Sequence, residues 1–401
     1  MTGAPLPTKK ISPALGSAYA FVVFFGIVSL FSDMTHEGSR SITGPFLSSL
    51  GLSAAAVGAI AGFGELVGYS LRFLSGYLAD RTRRYWLVTG VGYAINLLSV
   101  PLLALAGSWE IAALLMILER AGRAVRNPAR DAMLSQATVE IGRGKGFGLH
   151  EAFDQIGATT GPLIITAVLV MGGSMRKAFA FLLVPAIAAL AILTISRIRF
   201  PHPETFEAST EHLARTKLPR VFWIYLIAAS LVGIGFVDYP LVAYHLQKTA
   251  AMPLSTIAIY YSVAMGVDAL SALVFGWLYD KKGIAVLVAS TLISLPFPFL
   301  VFSHSTLLPI FGVILWGIGM GAQESIMRAA IADMAPKEKR GTAYGLFNTV
   351  FGICWFAGSA VFGLLYDGSI TLAIYFSAGF QALALPFFVM CGRKGRGHGG
   401  S

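Results

Sequence analysis

The chain has 401 residues, 56% of them hydrophobic and 12% charged, with a formal charge of +10 and a mean hydropathy of +0.71. An ordinary soluble domain carries about 25% charged residues, so this composition excludes a soluble globular protein and describes helices surrounded by lipid. The positive charge does not point to nucleic acid, because the basic residues gather at alternate ends of apolar stretches, where membrane topology places them.

In chain order, twelve apolar segments of spanning length are expected at 17–40, 52–78, 85–106, 109–130, 145–171, 175–196, 219–246, 254–279, 283–303, 306–331, 342–366 and 370–391. Inside hydrocarbon the backbone must hydrogen-bond within itself, so these segments are helices. The first is followed by further spans and lacks a small-residue cleavage site, so it is a span and not a removed signal. One set of connections is strongly basic, with Arg81, Arg83 and Arg84, then Arg197 and Arg199, then Lys281 and Lys282, then Lys337, Lys339 and Arg340. The opposite set holds little beyond Arg176, Lys177 and Lys248. This bias puts both termini in the cytoplasm and the chain in the cytoplasmic (inner) membrane. The one sizeable polar connection, 198–218, divides a bundle at 1–197 from a second at 219–392, and a basic tail, expected to be disordered, follows at 393–401. The two cysteines, Cys354 and Cys391, are too few for a disulfide framework and read as small core residues.

The two halves are related. Gly76 and Asp80 begin a basic turn between two apolar segments, and Gly276 and Asp280 repeat it 200 residues later. Gly144, Gly148 and Leu149 return as Gly341, Gly345 and Leu346 at an offset of 197. Duplicated halves of this kind belong to carriers that rock about a central substrate site.

Charged residues inside spans are the candidate functional groups, since each costs about 2.5–3.5 kcal/mol to insert. Asp33, His36, Glu37 and Arg40 share one side of the first helix, near its expected outer end. A local, inert Glu37–Arg40 pair or a reach to the headgroups is the plainer alternative. Glu65, Tyr69 and Arg72 share a face of the second helix. Glu119, Arg123, Arg126 and Arg130 form a stripe on the fourth, with Arg120 beside it. Four arginines are too many for one acid, so neutrality requires Glu65, Asp33 or Glu37, or an anionic group on the substrate. His150, Glu151 and Asp154 are expected to be solvated near the start of the fifth helix. Gly157, Gly161 and Pro162, further along it, promise a tight, kinked contact between the halves. Asp238, Tyr239 and Pro240 interrupt the seventh helix, and Asp268 lies mid-span in the eighth. Glu324 and Arg328 read as a structural pair, while Trp316, Trp355, Tyr260, Tyr261 and Phe351 are candidates to line a pocket.

Together these residues resemble the major facilitator superfamily over essentially the whole chain. Gly76, Asp80, Arg81 and Arg84 resemble its signature between the second and third helices, and Arg120 and Arg123 its fourth-helix signature. Gly148, Gly157, Gly161 and Pro162 keep the spacing of the fifth-helix signature of proton antiporters, but Ile165 and Thr166 stand where its trailing glycines belong. The resemblance implies an all-α polytopic membrane protein with 12 transmembrane helices in two pseudo-symmetric six-helix bundles. It is similar to the bacterial drug/proton antiporter-like branch, which implies export of a small organic molecule by proton antiport. The alternative is proton-coupled symport uptake, or facilitated exchange of an organic anion.

On that resemblance Arg120 joins Asp33, Glu37 and Glu65 as the proton-coupling set, and the proton gradient is the energy source. His36, Arg40, Arg123, Asp238 and Asp268 are the substrate-binding candidates, for a ligand that is anionic or amphiphilic. Asp80 is implied to tie its hairpin to the other half in one conformation, supported by Gly76, Arg81 and Arg84, with Asp280 as its counterpart and Gly157, Gly161 and Pro162 as further conformational elements. No metal-binding, nucleophile–base or cofactor motif occurs. The expectation is a monomer in the lipid bilayer, neither an enzyme nor a nucleic-acid binder, with no bound metal or cofactor.

Overall fold

The computed structural model describes residues 13–201, 218–249, 252–305, 307–336 and 340–395. Their regular structure is helical throughout. The first half carries α1 (Pro13–Ser49), α2 (Ala54–Thr82), α3 (Tyr85–Leu102), α4 (Trp109–Ile141) and α5 (Arg143–Val170), then the broken helix α6 (Met175–Phe181) and α7 (Leu183–Arg199). The second half opens with the broken helix α8 (Arg220–Gly235) and α9 (Tyr239–Lys248), followed by α10 (Leu254–Lys282) and the short pair α11 (Ala285–Ser294) and α12 (Phe297–Val301). It ends with α13 (Leu308–Met334), α14 (Arg340–Gly368) and α15 (Ile370–Gly395). Among the described residues, 10 segments are long and apolar enough to cross a membrane, and the protein is an all-helical polytopic membrane protein. Of the expected linker, residues 202–217 lie outside the described residues; of the expected tail, 396–401 do.

Three spans differ from expectation, each for a physical reason. α4 is not an apolar span, because Glu119, Arg120, Arg123, Arg126 and Arg130 crowd its middle; it is held by protein partners, not by lipid. The segment expected at 283–303 is two short helices, because Pro296 has no N–H with which to continue the first. α1 was expected to end at residue 40 but runs 37 residues to Ser49, about 55 Å at 1.5 Å per residue. Asp33, His36, Glu37 and Arg40 therefore lie well inside it, and all four are buried.

The break between α8 and α9 falls at the expected place and is fully braced. Gly235 O accepts from Ser377 Oγ and from Gln381 Nε2 (3.4 Å), and Val237 O accepts from Trp316 Nε1 at 2.8 Å. Asp238 caps α9 by accepting from the Tyr239 N–H at 3.0 Å. A helix can open inside a membrane only where neighbouring groups take over its freed backbone, and here α13 and α15 do so.

The repeat of the two halves is visible in the backbone. α2 ends at Arg83 with φ 53°, and α10 ends at Gly283 with φ 58°, 200 residues on. Their N–H groups bond Ala79 O at 2.8 Å and Tyr279 O at 2.7 Å. The fifth-helix glycines act elsewhere than expected. A Cβ at Gly157 would collide with the Leu30 carbonyl, and one at Gly161 with the Met34 carbonyl, so both press α5 onto α1 of the same half. The contact of α5 with the second half is polar instead: Ser262 Oγ donates to Thr159 O at 2.7 Å, and Thr166 Oγ1 donates to Ser255 O at 3.3 Å.

Candidate functional site

The charged face of α1 is the centre of a buried network drawn from five helices. His36 Nδ1 lies 2.6 Å from Glu119 Oε1 of α4, and its Nε2 lies 3.0 Å from Arg120 Nη1 and 3.3 Å from Glu37 Oε1. Asn96 of α3 donates to Glu119 Oε1 at 2.7 Å and to the Glu119 carbonyl at 3.0 Å, which fixes that carboxylate against the imidazole. Nε2 sits between a donor, Arg120 Nη1, and an acceptor, Glu37 Oε1: a neutral ring accepts from the first and a protonated ring donates to the second, and in both cases Nδ1 carries a proton facing Glu119.

Arg120 Nη2 lies 3.0 Å from Glu65 Oε1 of α2, and Arg40 Nη2 lies 3.5 Å from the same oxygen. Arg40 also reaches across to the second half, 2.6 Å from Asp238 Oδ1. Arg123 lies 3.5 Å from Glu37 and 3.9 Å from Asp33. Arg126, 3.8 Å from Asp33, is fully buried over the ring of Tyr93, 4.2 Å from its centroid. Tyr261 of α10 donates to Glu37 Oε2. Acids from α1, α2, α4 and the α8–α9 break thus balance the arginines within the protein. The surplus of arginine that suggested an anionic ligand is absent once the helices are packed.

This network forms one wall of a cavity of about 1000 Å³. The cavity runs from the network toward the basic ends of α2 and α5, past Gly76, Tyr77, Phe147 and Gly148. Its acids are Asp33, Glu37, Glu65, Asp131, Glu151, Asp154, Asp268 and Glu324, and its arginines are Arg40, Arg72, Arg120, Arg123 and Arg130. Among the described residues, acids outnumber arginines there. The second-half wall is mostly uncharged, with Met265, Met320, Gln323, Phe347, Phe351 and Trp355.

The opposite end is shut. Cβ atoms at Gly44, Gly58 and Gly363 would collide with the backbones of Pro240, Ser359 and Ala54, so the two halves meet there through their main chains. Asp367 of α14 locks the contact by accepting from the α2 N-terminus, from Ala54 N at 3.1 Å and Ala55 N at 2.9 Å. A small pocket of about 30 Å³ lies between His36, Thr43, Glu119 and Pro240 under this seal.

The sequence-derived candidates divide accordingly. Asp33, Glu37, Arg40, Glu65, Arg120, Arg123 and Asp268 all line the cavity. His36 instead faces the small pocket, and Asp238, fully buried, caps α9 and pairs with Arg40 without itself reaching the cavity. The plain Glu37–Arg40 pair is stretched to 4.0 Å and is one contact among several. Asp80 lies in the last turn of α2, its side chain outside the described residues; Arg81 and Arg84 are exposed there, and Arg81 donates to Tyr77 OH at 3.4 Å. Asp280 is exposed in the last turn of α10. Trp316 and Tyr261 are buried in an aromatic cluster, so of the five aromatic candidates only Phe351 and Trp355 reach the cavity.

Of the three residues expected to be solvated, Glu151 is exposed, Asp154 is half-buried on the cavity wall and His150 is buried. α5 begins at Arg143, which places them two to three turns inside it. His150 is buried, 3.0 Å from Ser29 Oγ and 3.5 Å from Asp154 Oδ2, and Arg130 Nη1 donates to the same Ser29 at 3.3 Å. Asn96, Ser29 and Asp367 are not among the sequence-derived candidates. Only Asn96 carried a usable signal, as the one amide side chain in its span.

The Major Facilitator Superfamily profile matches residues 14–359. An uncharacterized protein of Mycobacterium tuberculosis is 38% identical over 380 residues, covering 93% of each chain. An uncharacterized MFS-type transporter of Methanocaldococcus jannaschii is 26% identical over 357 residues, covering 86% of this chain and 88% of its own. Among solved structures, a nucleoside transporter superposes with a TM-score of 0.73 at 13% identity, covering 92% of this chain and 99% of its own. A bacterial homologue of the human lysosomal transporter Spinster, inward-facing and unoccupied, gives 0.70 at 14% identity, covering 95% and 98%.

Proposed function

The chain belongs to the Major Facilitator Superfamily, and on that premise we propose that it is a secondary transporter moving a small organic molecule together with protons by alternating access. Two six-helix bundles rock about the cavity, which in this state is open to the cytoplasm at its basic end, and both termini are cytoplasmic. The observation that carries the coupling is the sharing of carboxylates: Glu65 holds Arg120 and Arg40 at once, and Glu37 and Asp33 hold Arg123. A proton arriving on one of these acids removes its charge, and the arginine it held turns to an acidic group of the substrate. Proton and substrate then bind together, which is the logic of symport. The fifth-helix glycines that suggested export by antiport are accounted for by the packing of α5 on α1, and they supply no argument about direction.

The test uses protein reconstituted in liposomes and a ligand found by thermal-shift screening. An inward-directed proton gradient is expected to drive accumulation of that ligand, and a protonophore to abolish it. Glu65→Gln is expected to keep ligand exchange while losing gradient-driven accumulation, because the amide stays neutral throughout the cycle. Full accumulation in both Glu65→Gln and Glu37→Gln would remove these acids from the coupling.

A further inference from the structure

Asp268 stands apart from the paired acids of the buried network. It lies in α10, 2% exposed, on the wall of the large cavity. Its Oδ1 has no hydrogen-bond partner, and among the described residues no lysine, arginine or histidine forms an ion pair with it. The acids across the cavity are all engaged: Glu65, Glu37 and Asp33 by arginines, and Glu119 by His36 and Asn96. The charged groups that share the cavity with Asp268 include the acids Glu324 of α13, Glu37 of α1 and Glu151 of α5, and Arg40 of α1. Beside it α13 presents Gly321, where a Cβ would collide with the Asp268 carbonyl and approach Oδ1 to 2.9 Å, so the two helices pack backbone to backbone at this carboxylate.

A buried carboxyl group without a partner is costly. This one is placed where the partner can come from the cavity. We propose that Asp268 is the subsite for an ammonium group of the substrate, and that the substrate is therefore a zwitterion whose acidic group meets Arg120 and Arg123 on the facing wall. The inference rests on the transport reading above and narrows it from an organic anion to a molecule carrying both charges. A zwitterion satisfies both walls at once, and it also suits a cavity in which acids outnumber arginines, where a simple anion would meet net repulsion.

A hydrophobic carbodiimide, which reacts with carboxyl groups at apolar sites, tests this while the substrate is still unidentified. Labelling of Asp268 is read by mass spectrometry in full-length protein in lipid, with Asp268→Asn as the blank. The protecting probes are the common L-amino acids and a dipeptide set, each beside its N-acetyl derivative, which has lost the amine, and its amide, which has lost the carboxylate. At least one zwitterion is expected to slow labelling of Asp268 about tenfold, the effect of roughly 1.4 kcal/mol of occupancy, while its N-acetyl derivative protects weakly or not at all. The same zwitterion should bind Asp268→Asn at least about tenfold more weakly, and Asp268→Glu should recover part of the loss.

Equal protection by the N-acetyl derivatives, protection by none of the zwitterions, or an Asp268 that does not react overturns the proposal. An organic cation protecting as well as any zwitterion also overturns it, leaving Asp268 as a cation site alone. Failure of the transport reading looks different. There, a zwitterion protects Asp268 but no proton gradient drives its accumulation.

Discussion

The two walls of the cavity handle polarity in opposite ways. The first-half wall is a lattice of charges in which partners are shared, as with the one Glu65 oxygen that serves both Arg120 and Arg40. The second-half wall is aromatic and sulfur-rich, with Phe347, Phe351, Trp355, Met265 and Met320 around the unpartnered carboxyl of Asp268. A shared lattice can change partners at low cost, because each group that loses one contact keeps another. An isolated group has nothing to exchange with and responds only to what enters the cavity. On the proposed function, the first wall is the one that switches and the second the one that recognises.

Breaking the lattice is expected to have the largest effect. Arg40→Ala removes an ion pair that joins the halves in this buried region and strands Asp238 without its cation. Loss of one partner of a buried pair costs about 3–5 kcal/mol, measurable as a fall in thermal stability in detergent. Adding Asp238→Asn should recover a large part of it, since asparagine still caps α9. Were the double variant as unstable as the single one, the pair would not be the reason.

Next comes Asn96→Leu, which removes a hydrogen bond to a charged carboxylate, an interaction of about 1.5–3 kcal/mol. It should lower stability and also loosen His36, seen as a change in its ring-nitrogen resonances. On the second-half side Trp316→Phe deletes the bond to Val237 O and leaves a void where the buried indole packs on Phe236 and Tyr239; it should cost about 2 kcal/mol, with ligand binding kept.

The smallest effect compares the two repeats directly. Arg83→Gly should gain up to about 1 kcal/mol, because a non-glycine residue is strained at its positive φ. Gly283→Ala should lose more than that, because φ 58° with ψ −145° is a conformation nearly confined to glycine, whereas Arg83 is left-handed helical at ψ 18°. Effects of equal size at both sites would mean that the two turns store the same strain despite their different ψ.

Much of the fold was legible in the sequence because lipid imposes one rule on every span. Long apolar runs marked the helices, and the 200-residue offset of Asp80 and Asp280 marked the repeat. What composition could not show was length beyond the apolar run. α1 continues through polar Ser41 and Thr43 to Ser49, because Ser41 Oγ and Thr43 Oγ1 bond back to the carbonyls of Gly38 and Ser39. The charged residues of the site were equally visible, since ionised groups inside spans are rare. Their pairing was not, because partners come from helices distant in sequence: Arg40 and Asp238 are 198 residues apart, and Tyr261 and Glu37 are 224 apart. The same limit hid the purpose of Gly157 and Gly161, which depends on which helix lies against them.

The central claim, that protons travel with the substrate through the arginine-held carboxylates, is tested most directly by the sign of proton movement. Liposomes containing the protein and an interior pH dye, at equal pH inside and out, are given the screened ligand from outside. Cotransport predicts that the interior acidifies as the ligand enters, and that Arg120→Ala abolishes the change. Interior alkalinisation, or ligand entry with no pH change, would contradict the account.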